Sequence, residues 1–86
     1  MSRHPAGSAT CRINASGTGI EVQATNTGSA TTNLRVLVNF RDAEAHLIGN
    51  DAAIFRHLPV QQTGHATLRS PGSGLSTCEV AAVSHF

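Results

Sequence analysis

Between Asn33 and Asp42 the chain alternates with a period of two. Leu34, Val36, Val38 and Phe40 fall on one side, and Arg35, Leu37, Asn39 and Arg41 on the other. Successive side chains of a strand point to opposite faces, so this pattern predicts a strand with one face buried and one wet. A slip of one residue would carry two arginines into the core, which fixes the register. Leu37 alone interrupts the polar side.

The remaining sequence repeats this theme in shorter runs parted by turn-rich clusters. Cys11–Asn14 is followed by Ala15-Ser16-Gly17-Thr18-Gly19. Ile20–Thr25 places Ile20, Val22 and Ala24 on one face before the turn Asn26-Thr27-Gly28-Ser29, whose Asn and Gly tolerate positive φ. After Asp42-Ala43-Glu44-Ala45 come a short run that starts at His46–Gly49 and ends at Asn50-Asp51, and a strand over Ala52–Leu58. The inward face of that strand is open between Ile54/Leu58 and Phe55. Pro59 ends it, because proline cannot donate to a ladder. Gly64–Ser70 turns Ala66 and Leu68 inward, and Ser70–Gly74 forms a loop. Ser76–Ser84 places Cys78, Val80 and Ala82 on one side, leaving Leu37 and Val83 as candidates for an exposed apolar patch. Regularly spaced short strands without a helical stripe predict an all-β fold, an immunoglobulin-like antiparallel β-sandwich of about seven strands. Residues 1–10 are expected to form a disordered lead, and residues 11–86 a single domain.

At 86 residues, a chain buries only about 60 % of its unfolded surface and gains from a covalent staple. Cys11 and Cys78 supply one. They lie in the first and last expected strands, each on a face with an apolar neighbour (Ile13 and Val80), and closing so long a loop is worth about 4 kcal/mol. Two buried free thiols, or a metal site joining both cysteines to His57 or His65, are the alternatives. The absence of a CxxC or a local histidine pair weighs against the metal.

Composition narrows the function. The net charge is +1, the six basic residues are all arginine, and they are scattered rather than clustered. With three Phe and no Trp or Tyr, neither the basic stripe nor the stacking platform of a nucleic-acid binder is present. No run of about 20 apolar residues could span a bilayer. Met1–Thr10 has no apolar signal segment, so the chain is expected to begin after a removed export signal. The histidines His4, His46, His57, His65 and His85 fall at turns, polar faces or termini, and no nucleophile is poised beside them. Asp42, Glu44 and Asp51 gather around one turn but lack the spacing of a calcium loop, so turn-capping roles are expected for Asp42 and Asp51. Gly17-Thr18-Gly19 and Gly72-Ser73-Gly74 lead into no helix and read as hairpin turns rather than phosphate loops. Asn14-Ala15-Ser16 fits a glycosylation sequon, a pattern common by chance.

The order of motifs, from "VQATNTGSATTNLRVLVNFRDAEAHLIGND" through "HLPVQQTGHATL" to "CEVAAV", resembles bacterial FxLYD-type and related immunoglobulin-like domains. The resemblance rests on the Asn26-Thr27-Gly28-Ser29 turn, Phe40-Arg41-Asp42, Leu47-Ile48-Gly49, and Leu58-Pro59 ahead of Gly64-His65-Ala66. It departs at Glu44-Ala45, where a glycine is usual, and at Val60–Gly64, where Pro-Gly is usual. It implies an extracytoplasmic bacterial domain, often part of a lipoprotein or cell-envelope protein, and carries over no catalytic, metal or cofactor-binding residue. The expected function is therefore a non-catalytic structural or protein-interaction module outside the cytoplasm. The expected partner is a protein of unknown identity, with no nucleic acid, no membrane embedding and no cofactor, the domain being a monomer or weak homodimer. A cell-wall or carbohydrate-binding module, a small secreted enzyme or enzyme inhibitor, and a metal-binding domain are the competing readings.

Overall fold

Strands form where the alternating runs lie. A computed structural model describes residues 7–72 and 74–86. Within them lie β1 (Gly7–Ile13), β2 (Gly19–Asn26), β3 (Thr32–Arg41), β4 (Leu47–Leu58), β5 (Thr63–Arg69) and β6 (Thr77–His85). Residues 1–6 of the expected lead, His4 among them, and Ser73 of the 70–74 loop lie outside the described residues. All pairings are antiparallel and build two three-stranded sheets, ordered β1-β2-β5 and β4-β3-β6. The described residues contain no helix.

The inner faces of the two sheets meet in one core. Ile20, Val22 and Ala24 come from β2, Leu34, Val36, Val38 and Phe40 from β3, and Ala53, Phe55 and Leu58 from β4. Ile13, Ala66, Leu68, Val80 and Val83 pack around them, partly buried. Each large aliphatic side chain here contributes about 1.5–3 kcal/mol by leaving water. The sheets approach closely where a side chain is missing: a Cβ on Gly64 would sit 2.7 Å from Cδ1 of Phe55. Glycine at this point lets the Phe55 ring come close to the backbone of β5.

Three expectations change. The strand count is six, because the runs expected at His46–Gly49 and Ala52–Leu58 are one strand, β4. Asn50 and Asp51, expected to end the first run, instead continue the ladder and pair with Asn39 and Val38. β4 is an edge strand, and polar residues are tolerated there because one flank faces water. β1 begins at Gly7, inside the expected lead, and residues 7–10 pair with Ala24 to Asn26 and Gln23 of β2.

Bulges account for the third change. Thr32 pairs with Leu58 but Leu34 with Phe55, so Asn33 faces both Arg56 and His57. His57 takes φ 54°, and its N–H donates to Oδ1 of Asn33 at 2.9 Å. One extra residue reverses the alternation. Phe55 and Leu58 are therefore both buried, whereas Ile54 is 43 % exposed. In β6 the step from Leu37–Ala82 to Val38–Val80 leaves Ala81 as the extra residue. Val83, expected outside, turns inward opposite Val36, and Ala82, expected inside, is exposed.

Candidate functional site

β1 is an edge of one sheet and β6 an edge of the other, and the two run side by side. Cys11 pairs with Val22 and Cys78 with Phe40, so both side chains start from the inner faces. The two cysteines form a disulfide with a Cα–Cα distance of 6.2 Å, within the span such a bridge accepts. It ties the two sheets together along this open side. No cysteine of the described residues is free, which sets aside the thiol and metal alternatives for this pair.

The opposite corner, where β4 runs beside β5, is held by Asn26, which was expected only to shape a turn. It is fully buried, the one polar side chain among the described residues in the core. Its Nδ2 donates to the carbonyls of Ala30 and Leu58, both at 2.9 Å, and its Oδ1 accepts from the Gly28 N–H at 2.9 Å. Its backbone N–H donates to the Gln62 carbonyl at 3.1 Å, and its carbonyl accepts from the Gln61 N–H at 2.9 Å. One residue thus joins the β2–β3 loop to the β4–β5 loop. Its sequence signal, an Asn closing an alternating strand before Thr-Gly, is the same as that of an ordinary turn.

The acidic turn proves to be a capped hairpin. Oδ1 of Asp42 accepts from the N–H groups of Glu44 and His46, each at 2.9 Å. The bond from the His46 N–H, more than any other cause, holds the Asp42 carboxyl below its usual pKa. The His46 ring lies 3.5 Å from Asp42 Oδ2 and 3.7 Å from Glu44 Oε2. Asp51 stands apart, its Oδ1 accepting from the Ala52 N–H at 2.8 Å. Among the described residues no group of three or more His, Cys, Asp or Glu is placed to hold a metal ion. The described histidines are dispersed: His46 in this hairpin, His57 at the bulge, His65 in β5 and His85 at the end of β6. In the β1–β2 hairpin, Oδ1 of Asn14 accepts from Ser16 Oγ at 3.0 Å and from the Thr18 N–H at 3.1 Å, and Gly17 takes φ 72°. The sequon asparagine and the first glycine pair therefore serve the turn.

The outer faces of the two sheets differ. Ser8, Thr10, Arg12, Glu21, Gln23, Thr25, Thr63, His65, Thr67 and Arg69 make the first sheet's face wholly polar. A shallow, open depression of about 310 Å³ lies there, lined by Thr10, Cys11, Arg12, Glu21 and Gln23. Arg12 and Glu21 pair across it at 3.1 Å, and no nucleophile with an adjacent base is among its lining. On the second sheet's face, Glu79 accepts from Arg41 at 2.9 Å and from Asn39 at 3.5 Å. These bonds, Arg41's first, hold the Glu79 carboxyl below its usual pKa. Between them and Arg35 lies a row of apolar side chains, Ala52, Leu37 and Ala82.

Comparison with family models, with curated proteins and with solved structures gives no match.

Proposed function

We propose that this chain is a non-catalytic structural or protein-interaction module that works outside the cytoplasm, built as an immunoglobulin-like domain of the FxLYD type. The observation that carries the reading is the Cys11–Cys78 bridge between the sheets. Disulfides persist in oxidising compartments, and small exported domains use them to offset a small core. The roles of the candidate polar residues support the non-catalytic part. Asp42, Asp51 and Asn14 are spent on backbone N–H groups, while Glu21 and Glu79 are spent on arginines. No helix of the described residues is long and apolar enough to cross a membrane. The strand order, with β1 and β6 at adjacent edges of the two layers, is compatible with an immunoglobulin-like frame lacking one strand.

The test is the thiol state in the native host. Cell fractions are quenched with an alkylating reagent, and the intact mass of the chain is measured. The reading expects the chain in an extracytoplasmic fraction, with both cysteines unmodified until a reductant is added. A chain recovered from the cytoplasm with two alkylated cysteines would overturn it.

A further inference from the structure

The two outer sheet faces set up a contrast that the fold alone does not require. The first carries ten polar side chains and no apolar one. The second carries Ala52, Leu37 and Ala82 in one cross-strand row, with Ile54 beside Arg35 in the next. Leu37 is the residue that broke the polar side of the best strand in the sequence, and Ile54 is 43 % exposed. An apolar centre inside a polar rim is the anatomy of a protein interface.

Charge identifies the occupant. One end of this sheet holds Arg35, and Arg56 lying 5.6 Å over the Phe86 ring, with His57 beside Arg56 opposite Asn33. The other end holds Asp42, Glu44 and Glu79 against Arg41 and His46. Among the described residues Arg35 has no ion-pair partner. A face that is basic at one end, acidic at the other and apolar between is complementary to itself turned end for end, as a two-fold contact requires. We infer that this face binds a second copy of the chain. The two outer faces stack with the two-fold axis across the Leu37 row, and each Arg35 lies over the Glu79 end of its partner. This deepens the reading of an interaction module by naming a partner. The free edge of β4 is the weaker route, because Asp51 already occupies the Ala52 N–H that an added strand would need.

The patch is small. Three strands about 4.8 Å apart and five residues at about 3.3 Å each give a footprint of a few hundred Å² per copy. Stable complexes bury about 800 Å² per partner. The dimer is therefore weak, with a dissociation constant on the order of 0.1–1 mM.

Sedimentation equilibrium of the oxidised chain from about 20 μM to 2 mM tests this, alongside amide NMR shifts on dilution. The expected result is a monomer–dimer equilibrium whose dilution-sensitive amides surround residues 35–39, 52–54 and 82. Leu37→Thr, which keeps a strand-favouring side chain, is expected to weaken association at least tenfold. Arg35→Glu and Glu79→Arg each weaken it several-fold alone, and mixing the two variants restores it, because both cross-copy contacts are then opposite in sign. Circular dichroism confirms that each variant is folded. A monomer throughout this range overturns the proposal, as do shifts confined to the β4 edge or a failure of the mixture to recover. The thiol-state test of the wider reading is untouched by any of these results.

Discussion

Replacing Cys11 and Cys78 together by alanine removes the covalent tie between the sheets while leaving the rest of the inner faces in place. The bridge spans 67 positions. In the chain-entropy account, opening a loop of that length returns about 15 cal/mol/K to the unfolded chain, or about 4 kcal/mol at 25 °C. A domain of this size is stable by about 4–13 kcal/mol in all, so the loss is between a third and the whole. Because the chain has neither Trp nor Tyr, unfolding in urea is followed by the far-ultraviolet circular dichroism of the strands. The expected outcome is a midpoint that falls sharply, a melting temperature lower by roughly 25 °C, and a steeper urea dependence. The steeper slope follows because the uncrosslinked chain exposes more surface when it unfolds. A double variant within about 1 kcal/mol of the parent, with an unchanged slope, would refute the reasoning that the bridge acts by restraining the open chain.

Asn26→Ala leaves the carbonyl of Leu58 and the N–H of Gly28 without their side-chain partner in the core, a loss of about 2–4 kcal/mol by urea titration. Asn26→Asp is expected to be worse, since a carboxylate replaces the amide donor facing two carbonyls. A loss below about 1 kcal/mol in either variant would mean that the loops hold each other without Asn26. Gly64→Ala forces a methyl into the Phe55 ring and is expected to cost about 1–3 kcal/mol. Pairing it with Phe55→Leu should recover part of that cost, and simple additivity would count against the contact. The carboxyls of Asp42 and Glu79 are held below their usual pKa in the fold, so their contribution is present above the unfolded carboxyl range near pH 4 and fades as the pH drops through the lower folded values. In Asp42→Asn with Glu79→Gln, the melting temperature should fall less steeply between pH 5 and 2 than in the parent. An identical slope would assign the acid sensitivity elsewhere.

What could be read in advance divides along a physical line. The buried faces of β2 and β3 were legible because their alternation is unbroken, and period two maps directly onto inside and outside. The cysteine pair was legible because each Cys shares its strand face with Ile13 or Val80. Edge strands were not legible in the same way. β4 keeps Asn50 and Asp51 in mid-strand, where only one flank must satisfy a ladder, so polar residues that mark a turn in a central strand mark nothing here. The bulges at Arg56-His57 and Ala81 shift the pattern by one residue. A bulge without a glycine leaves no compositional trace: His57 takes its positive φ because Asn33 binds its N–H, a partner 24 residues away in the chain. Asn26 was hidden for the same reason, since its carbonyl partner at Leu58 is set by how two loops meet. The outer faces reverse the lesson. Leu37 was visible at once as the one exception on a polar side, but its meaning depended on neighbours no single strand contains. Ala52 and Ala82 flank it only because β4 and β6 bracket β3, and Ala82 reaches that face only because Ala81 bulges. An irregularity in β6 thus completes the apolar row begun by an irregularity in β3. That coincidence is why the second sheet's outer face, rather than the polar depression on the first, is where a partner is sought.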